Sequence, residues 1–307
     1  MISPAPHRTA APHRTAAPPT RHDAPPARFA HRVSQRDVLI TDWIQLDELN
    51  FSVRVDWSRD HCFFAPAPGS AHPHMLVAQT IRQVGLSLAH AAFEVPTSDQ
   101  FLMNEMAYST VPGHRTTMTD PIHVTAAYSW QDRRSLRVET VMRQRGETFA
   151  TSDSVFSWVP PRVYSRLRGP HLTARPGDCA SPAAPYTVGR IAPDEVALAP
   201  TDRPNRWMLR SDTGHPALMD HAVDHAPGLV LLEAAQQAAY AFAGAPHFNP
   251  TAAAMYANRY VEFDTPCWIE AHSISPRSGA ATAVEVIGLQ QDSLTFRCVI
   301  EGFPIRD

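Results

Sequence analysis

Histidines and aspartates are concentrated between Gly214 and Gly228, directly ahead of a long apolar run. This segment, GHPALMDHAVDHAPG, holds three histidines and two aspartates. Such a set could bind a metal ion. We expect no metal site, because the segment precedes the apolar run and its histidines are not held together on one helical face. We favour instead an oxyanion site where the apolar run begins.

His225 and the Pro227-Gly228 pair lie where the apolar run begins, which we predict to be the N-terminus of a helix. The free backbone N–H groups and the dipole at such a terminus favour a developing oxyanion. A glycine there lets a substrate approach the backbone closely, because it has no side chain. We therefore expect His225 and the N–H of Gly228 to orient and polarise an acyl carbonyl group such as that of a thioester.

Glu233 stands inside the apolar run, between Leu232 and Ala234. Burial in such surroundings raises the pKa of a carboxyl group, because it disfavours the charged form. A general base that works near neutral pH needs a raised pKa of this kind. We predict that Glu233 is the base, and the alternative is a glutamate on the solvent side of the helix.

The second half of the chain resembles the first half. With a shift of 154 positions, residues 75–113 align without a gap on residues 229–267, and seven of the 39 positions are identical. A duplicated domain is our interpretation, and chance similarity between two alanine-rich helices is the alternative.

In this alignment each copy has one residue of a Glu-x-x-Arg pair: the first copy has the arginine and the second has the glutamate. Gln79 aligns with Glu233, and Arg82 aligns with Gln236. If the two helices face one another, Arg82 and Glu233 complete one composite site. The planar guanidinium of Arg82 would bind a phosphate or a developing oxyanion, and the alternative is an ion pair with a nearby carboxylate. Gln79 and Gln236 are further candidates for substrate binding.

Three other polar residues are weaker candidates for substrate contacts. Asn104 and Asn258 follow the helices at the same register of the repeat, where an amide binds substrate or, as we favour, fixes a strand edge. Arg210 precedes the histidine-rich segment and could widen a phosphate site.

The depth of an acyl-binding tunnel would depend on large apolar side chains, namely those of Phe101, Met103, Met142 and Phe242.

Each copy has the same predicted order of elements. Apolar residues at helical spacing predict one long helix per copy, over residues 74–93 and 229–242. Strand-like segments follow at residues 100–109, 135–143 and 148–158, and in the second copy at residues 254–263, 281–288 and 293–300. The predicted fold class is α+β, with a sheet wrapped around a central helix in each copy and the copies paired with pseudo-two-fold symmetry.

Proline-rich stretches set the predicted domain boundaries. Seven of the 29 prolines lie in residues 1–26 and nine in residues 160–204. The first cluster predicts a disordered tail over residues 1–32, because it has almost nothing apolar to bury. The second predicts a linker over residues 166–184. One domain then spans residues 33–165 and the other residues 185–307.

Composition narrows the classes of partner. A formal net charge of -3 and a pI near 6.6 argue against a protein that coats nucleic acid or an anionic membrane. No run reaches the roughly 18 apolar residues of a membrane span and the N-terminus lacks a secretion signal, so we expect a cytoplasmic protein. All 27 basic residues are arginine, which excludes a lysine Schiff base. No cofactor is predicted.

Two segments resemble the A-factor synthase family, the tandem hot-dog enzymes of actinomycetes that begin the synthesis of γ-butyrolactone and butenolide autoregulators. The more specific is DHAVDHAPGLVLLEAAQQ over residues 220–237, and the other is HPHMLVAQTIRQVG over residues 72–85. Val33-Ser34, Ile44 and Phe64 add to the resemblance. The family pattern is Glu-x-x-Arg-Gln in both helices, and this chain departs from it at Gln79 and Gln236.

The resemblance implies a double hot-dog fold and the transfer of a β-ketoacyl group from acyl carrier protein to dihydroxyacetone phosphate. It implies Glu233 as the base that deprotonates the alcohol, and His225 and Gly228 at the thioester. The fused copies would form an internal pseudo-dimer, either as a monomer or within a homodimer. Two alternatives stay open: a dehydratase or hydratase of β-hydroxyacyl thioesters, and a non-catalytic acyl-binding protein.

Overall fold

The computed structural model describes residues 20–57, 74–215, 217–244, 248–277 and 279–304. In the first half of the chain the elements are β1 (Arg21–Asp23), β2 (Ile40–Gln45), β3 (Asn50–Val55), α1 (His74–Ala91), β4 (Gln100–Thr110), β5 (Ile122–Asp132), β6 (Ser135–Gln144), β7 (Glu147–Val159) and α2 (Pro161–Arg168). In the second half they are β8 (Leu198–Pro200), β9 (Arg206–Leu209), α3 (Gly228–Ala243), β10 (Phe248–Ala257), β11 (Trp268–Ile274), β12 (Thr282–Gln290) and β13 (Ser293–Pro304).

The strands of these described ranges form one continuous 13-stranded sheet, in the order β1-β2-β3-β5-β6-β7-β4-β10-β13-β12-β11-β9-β8. The two halves meet at β4 and β10, which pair antiparallel with Met106 opposite Met255. Apart from β1, the strand order on one side of this junction repeats on the other. The expected pseudo-two-fold arrangement of two tandem domains is confirmed.

Helices α1 and α3 form the centre of the two domains. Nearly all of their side chains are buried, including Ile81 and Leu88 in α1 and Leu232 and Ala235 in α3. A helix that is apolar on all sides is stable only when it is packed on all sides. The curved sheet supplies that packing, and the two helices also contact each other.

A pair of glutamines confirms the register of the repeat within the helices. The Gln83 side chain accepts a hydrogen bond from the backbone N–H of Leu39 (2.7 Å) and donates one to the carbonyl oxygen of Asp37 (2.7 Å). Gln237 does the same with Ala197 (2.9 Å) and Glu195 (2.8 Å). In both copies a buried amide therefore fastens the segment that precedes β2 or its counterpart β8 to the central helix.

The gapless alignment does not extend into the strands. α1 ends at Ala91 and β4 begins at Gln100, whereas α3 ends at Ala243 and β10 already begins at Phe248. The strand predicted over residues 254–263 is therefore displaced. Pro250 is tolerated in β10 because it lies at a β-bulge, outside the stretch paired with β4.

The asparagines Asn104 and Asn258 are consequently not symmetry-related. Glu105 of β4 pairs with Tyr256 of β10, so both asparagines lie at the same end of this strand pair. Residues related by a two-fold axis would lie at opposite ends of an antiparallel pair. The alignment places the two asparagines at equivalent positions, but the structure places both amides at one end of the β4–β10 pair.

The predicted tail and linker are partly folded. Residues 20–32, assigned to the tail, include β1, which pairs with β2, and the buried residue Arg32. Residues 1–19 lie outside the described residues, as do Phe64 and His72 in the segment 58–73. The linker prediction begins at residue 166, but α2 runs to Arg168, whose side chain is 1% exposed.

Candidate active site

A cavity of about 740 Å³ lies where the two domains meet. Both copies contribute to its wall: α1 and the start of β4 from the first, and the segment before α3 and the end of β10 from the second. Its lining includes predicted residues from both halves, namely Arg82, Asn104, His225, Gly228 and Asn258. Apolar side chains make up another part of the wall, among them Leu86, Phe101, Met103, Phe156, Leu231 and Met255.

The imidazole of His225 lines the cavity and is paired with a carboxylate behind it. The Nδ1 atom of His225 lies 2.7 Å from the Oδ1 atom of Asp224. Because a carboxylate only accepts hydrogen bonds, the proton of the neutral imidazole lies on Nδ1, and in that form Nε2 has the lone pair. Burial by itself would raise the pKa of Asp224, but hydrogen bonds from His225, Tyr164 and Arg168 outweigh it and hold that pKa well below its ordinary value. Asp224 is therefore an anion that orients His225.

Helix α2 holds Asp224 in place. The hydroxyl group of Tyr164 donates to Asp224 Oδ1 (2.6 Å), and Arg168 Nε donates to Asp224 Oδ2 (2.8 Å). The other two nitrogens of Arg168 donate to both carboxylate oxygens of Glu262, at 2.7 and 2.6 Å. Arg168 also lies over the ring of Tyr260, 4.2 Å from its centroid. One buried guanidinium thus joins two carboxylates and an aromatic ring beside His225.

The N-terminus of α3 reaches the same cavity. The helix begins at Gly228, after Pro227 in an extended conformation, so its first N–H groups have no acceptor within the helix. A Cβ atom at Gly228 would lie 2.5 Å from the Cε atom of Met103. The absence of a side chain therefore lets the first copy pack close to this helix end. His225 and the start of α3 lie next to each other along one wall of the cavity.

The cavity has a second polar cluster, which contains the guanidinium groups of Arg82 and Arg32. Arg82 NH1 donates to the carbonyl oxygen of Ala30 (3.0 Å), and Arg32 NH1 lies 3.2 Å from Asp220 Oδ1. Burial, together with the charge of Arg32, lowers the pKa of Arg82 to about 9. His31 lines the cavity beside them, and burial, followed by the charge of Arg82, lowers its pKa to about 3. The imidazole of His31 is therefore neutral near pH 7.

Glu233 is not part of the described lining of this cavity. Its side chain is fully buried, and its two oxygens accept hydrogen bonds from Arg190 Nε and NH2, both at 2.7 Å. Gln237 donates a further hydrogen bond to it. The expected convergence of Arg82 and Glu233 on one cavity is therefore wrong for the described structure. A carboxylate bound by a fork of guanidinium donors has no oxygen directed at a substrate.

Three other predicted residues have structural partners and lie outside the cavity lining of the described residues. The oxygen of Gln79, in the orientation that satisfies its neighbours, accepts hydrogen bonds from Arg32, one of them from Nε at 2.9 Å. Gln236 donates to the hydroxyl group of Tyr108 (2.7 Å). Arg210 donates to backbone carbonyl oxygens, including that of Ala180 (2.6 Å), and so fastens the interdomain segment instead of widening a phosphate site.

The expected tunnel residues divide in a similar way. Phe101 and Met103 line the cavity. Met142 is fully buried in the core, and Phe242 packs against the core, so neither belongs to the described lining.

Asn104 and Asn258 are exposed at the edge of the cavity, and Asn104 accepts a hydrogen bond from Ser157 (2.7 Å).

Sequence reasoning missed four residues: His31 and Arg32, which line the cavity, and Tyr164 and Arg168, which bind the carboxylate beside His225. They lie in or next to the proline-rich stretches that were assigned to the tail and the linker. A usable signal was present in α2, because Tyr164 and Arg168 are four residues apart and share one helical face. Arg32 and Arg190 bind equivalent helix positions, which only the three-dimensional repeat reveals.

Two kinds of feature are absent from the described ranges. Within them, no group of three or more histidine, cysteine, aspartate or glutamate side chains is arranged to hold a metal ion. No helix of those ranges is long and apolar enough to cross a membrane.

The fold and the shared cavity define a double hot-dog protein. Two solved structures support this class: the 12:0-ACP thioesterase from Umbellularia californica (TM-score 0.54, 12% identity, 83% of this chain and 94% of that one) and an acyl-ACP thioesterase from Bacteroides thetaiotaomicron (TM-score 0.52, 11% identity, 82% and 97%). At these identities the likeness concerns the fold alone.

Sequence comparison identifies the family. The model of the A-factor biosynthesis hotdog domain matches twice, over residues 13–160 and 172–299. A 2-oxo-3-(phosphooxy)propyl 3-oxoalkanoate synthase of Streptomyces virginiae is 37% identical over 285 residues, which cover 90% of this chain and 96% of the relative. A synthase of the same name from Streptomyces coelicolor is 34% identical over 287 residues, covering 90% and 91%. The chain belongs to the A-factor biosynthesis hotdog-domain family.

Proposed function

We propose that this protein transfers a β-ketoacyl group from a thioester to a hydroxyl group of dihydroxyacetone phosphate. The product would be a 2-oxo-3-(phosphooxy)propyl 3-oxoalkanoate, the compound for which its relatives are named. The observation that carries the proposal is one cavity lined by His225, which Asp224 orients, by the N-terminus of α3, by an apolar wall and by the guanidinium of Arg82. These four features match the hydroxyl, carbonyl, acyl and phosphate groups of the two substrates.

The donor we propose is a thioester of acyl carrier protein, and the reaction would run in the cytoplasm. The long arm of a carrier protein would bring its thioester to the start of α3 while the acyl chain occupies the apolar wall. Leu86, Phe156 and Met255 lie in that wall and are each no more than 3% exposed. An apolar wall of this kind favours an acyl chain through the area that the chain removes from water.

The reaction needs one base, which we assign to His225. Nε2 takes the proton of the acceptor hydroxyl, whose oxygen then attacks the thioester carbonyl carbon. The oxyanion that forms lies at the free N–H groups at the start of α3, including that of Gly228. When the C–S bond breaks, protonated His225 returns its proton to the leaving sulfur. The new C–O bond is the ester, and the thiol is the second product.

Assigning the base to His225 replaces the prediction for Glu233. Both residues were expected at the reaction centre, but only His225 lines the cavity in the described structure. Asp224 fixes its tautomer, whereas Arg190 occupies both oxygens of Glu233. A base needs a lone pair that the substrate can reach.

The experiment is an assay of the purified protein with a β-ketoacyl thioester and dihydroxyacetone phosphate, with the ester measured by mass spectrometry and the thiol by a colorimetric reagent. We expect equal amounts of both products. His225→Gln should lower kcat by about 10²- to 10⁴-fold without changing the circular dichroism spectrum. The control is His123→Gln on the exposed side of β5, which should have wild-type activity.

The same preparation distinguishes the alternatives. A dehydratase would consume a 3-hydroxyacyl thioester without any acceptor, and an acyl-binding protein would bind the thioester yet release no thiol. Either result, with no ester from dihydroxyacetone phosphate, would contradict the proposed function. An unchanged rate in His225→Gln would remove this residue from the reaction while leaving the function in place.

A further inference from the structure

The two copies differ in charge at equivalent positions around their central helices. In the second copy Arg190 is neutralised by Glu233, and the position that aligns with Arg82 is the uncharged Gln236. In the first copy the position equivalent to Glu233 is the uncharged Gln79, so Arg32 has no acid on its own central helix. Arg82 then adds a second guanidinium. The first copy therefore has a positive charge that its counterpart lacks, and this charge lies at the cavity.

Asp220 is the carboxylate closest to this charge among the contacts of the described residues, and it already has several partners. It lies 3.2 Å from Arg32 NH1, accepts a hydrogen bond from the backbone N–H of Val33 (3.2 Å) and lies 2.7 Å from Nδ1 of His221. One carboxylate cannot balance two guanidinium groups. Within the described residues, Arg82 itself donates one hydrogen bond, to the carbonyl oxygen of Ala30, which carries no charge.

An excess of buried positive charge is costly unless an anion compensates it. The lowered pKa of Arg82 has this origin, because burial and the neighbouring charge of Arg32 both disfavour its protonated form. The natural occupant is a group with a standing negative charge. The thioester oxyanion is a poorer match, because it exists only in the transition state and its place is at the start of α3.

We propose that Arg82 and Arg32 form a subsite that binds the phosphate group of the acceptor alcohol. The inference rests on the proposed function, which it makes specific for a phosphorylated acceptor. Guanidinium groups bind phosphate oxygens through paired N–H donors. His31 completes the wall as a neutral side chain and so leaves the charge to the two arginines. The N-terminal segment thereby becomes part of the substrate site, since it supplies both His31 and Arg32.

The test compares two acceptors, dihydroxyacetone phosphate and dihydroxyacetone, in the wild-type protein and in Arg82→Gln. Glutamine is the residue that the second copy has at this helix position, so the change suits the fold. We expect kcat/KM for dihydroxyacetone phosphate to fall by about 10- to 100-fold, and that for dihydroxyacetone to change less than about threefold. Arg54→Gln on the exposed side of β3 is the matched control, with both values unchanged.

A binding measurement removes the dependence on turnover. Isothermal titration with inorganic phosphate should detect binding to the wild-type protein and to Arg54→Gln, and a loss of affinity of at least about tenfold in Arg82→Gln. Equal affinity in all three proteins would overturn the subsite. So would an equal loss of kcat/KM for both acceptors, since Arg82 would then act on the thioester. Phosphate binding through Arg82 in a protein that makes no ester would contradict the proposed function and leave the subsite standing.

Discussion

Glu233 and His225 are two ionisable side chains at the same helix whose environments give them different chemistry. Glu233 is fully buried, and a guanidinium fork from Arg190 and an amide from Gln237 occupy its oxygens. His225 has one nitrogen bound to Asp224 and lines the cavity. Burial in an apolar run predicted a perturbed carboxyl group, but a counter-ion that is distant in sequence decides whether that group is available to a substrate.

Glu233→Gln is the first prediction at this scale. The change keeps the shape of the side chain but leaves the partly buried guanidinium of Arg190 without its counter-ion. We expect the free energy of unfolding to fall by about 3 kcal/mol, because removing one partner of a buried ion pair leaves the other charge uncompensated. The kcat of the folded protein should stay within about threefold of the wild-type value. Chemical denaturation and the ester assay measure the two effects separately.

Arg190→Gln combined with Glu233→Gln provides the control. The double variant removes both charges together and leaves no buried charge without a partner, so it should be more stable than the single Glu233→Gln variant. A loss of kcat of a hundredfold or more in Glu233→Gln, at unchanged stability, would restore Glu233 as the base.

Among the elements, α2 has a role that its position in the chain did not predict. This short helix between the domains buries Tyr164 and Arg168 and exposes Val163 and Leu167. Its buried face directs a hydroxyl and a guanidinium at Asp224, which in turn orients His225. A segment that connects two domains therefore also positions His225.

Arg168→Gln tests this role through stability at different pH values. The N–H donors of Arg168 favour the ionised form of Asp224 and so lower its pKa in the folded protein. This lowered pKa stabilises the fold at pH values above the ordinary pKa of an aspartate. The contribution is lost as the pH falls from that value through the pKa of Asp224 in the folded protein. At pH 7 we expect the variant to lose about 3 kcal/mol of unfolding free energy. The difference from wild type should shrink below about pH 4, where the unfolded-state carboxyl groups become protonated. Urea denaturation between pH 3 and 7 measures it.

Tyr164→Phe is the milder companion variant and adds a kinetic readout. With one donor fewer, Asp224 becomes a stronger acceptor and stabilises protonated His225. The acid limb of the kcat–pH profile should therefore move to higher pH, while stability falls by only about 1 kcal/mol. A profile with an unchanged acid limb in both variants would mean that α2 supports the fold without positioning the base.

The regular elements were the most predictable part of the molecule. Both long helices were predicted within about two residues of their ends, because apolar spacing marks a buried helix well. The predicted strand over residues 254–263 failed, since the repeat register of the helices was carried into a connection of different length. Local patterns do not contain such a change of spacing, because the sheet partner sets the register of a strand.

The site was less predictable than the fold. His225, Gly228 and Arg82, which line the cavity, were predicted from the ends and faces of the helices, which short sequence patterns describe. Arg32 and Arg168 were missed because composition assigned their segments to a tail and a linker, although each side chain is buried against residues more than fifty positions away. Contacts of this kind depend on tertiary structure alone.

At the scale of the whole molecule, fusing the two copies in one sheet lets their functions diverge. A homodimer of identical domains would have two equal sites. In this chain the guanidinium groups of Arg32 and Arg82 come from one copy, and the His225–Asp224 pair comes from the other. The same cavity also has apolar walls from both copies. Leu86 from α1 and Leu231 from α3 both line it, so the shape available to an acyl chain depends on how the domains pack.

Leu86 offers the clearest test of this shared wall. It lies four residues after Arg82 on α1, so the two side chains project from the same face of the helix into the cavity. Leu86→Phe should shift the preferred acyl donor to shorter chains and Leu86→Ala to longer ones. Each methylene that gains or loses its contact changes the binding free energy by about 0.8 kcal/mol, or about fourfold in kcat/KM. The measurement is kcat/KM over a series of β-ketoacyl thioesters that differ in chain length.

Leu88→Ala is the matched control for this series. Leu88 is fully buried on α1 but lies outside the described lining of the cavity, so its truncation should cost about 2 to 5 kcal/mol of stability and leave the order of preferred chain lengths unchanged. All variants are compared below their unfolding temperatures, so that stability does not enter the ratios. If Leu86→Phe and Leu86→Ala moved the preference in the same direction, or if Leu88→Ala moved it as far, the acyl chain would not lie along α1, and the cavity between the domains would hold the phosphorylated acceptor alone.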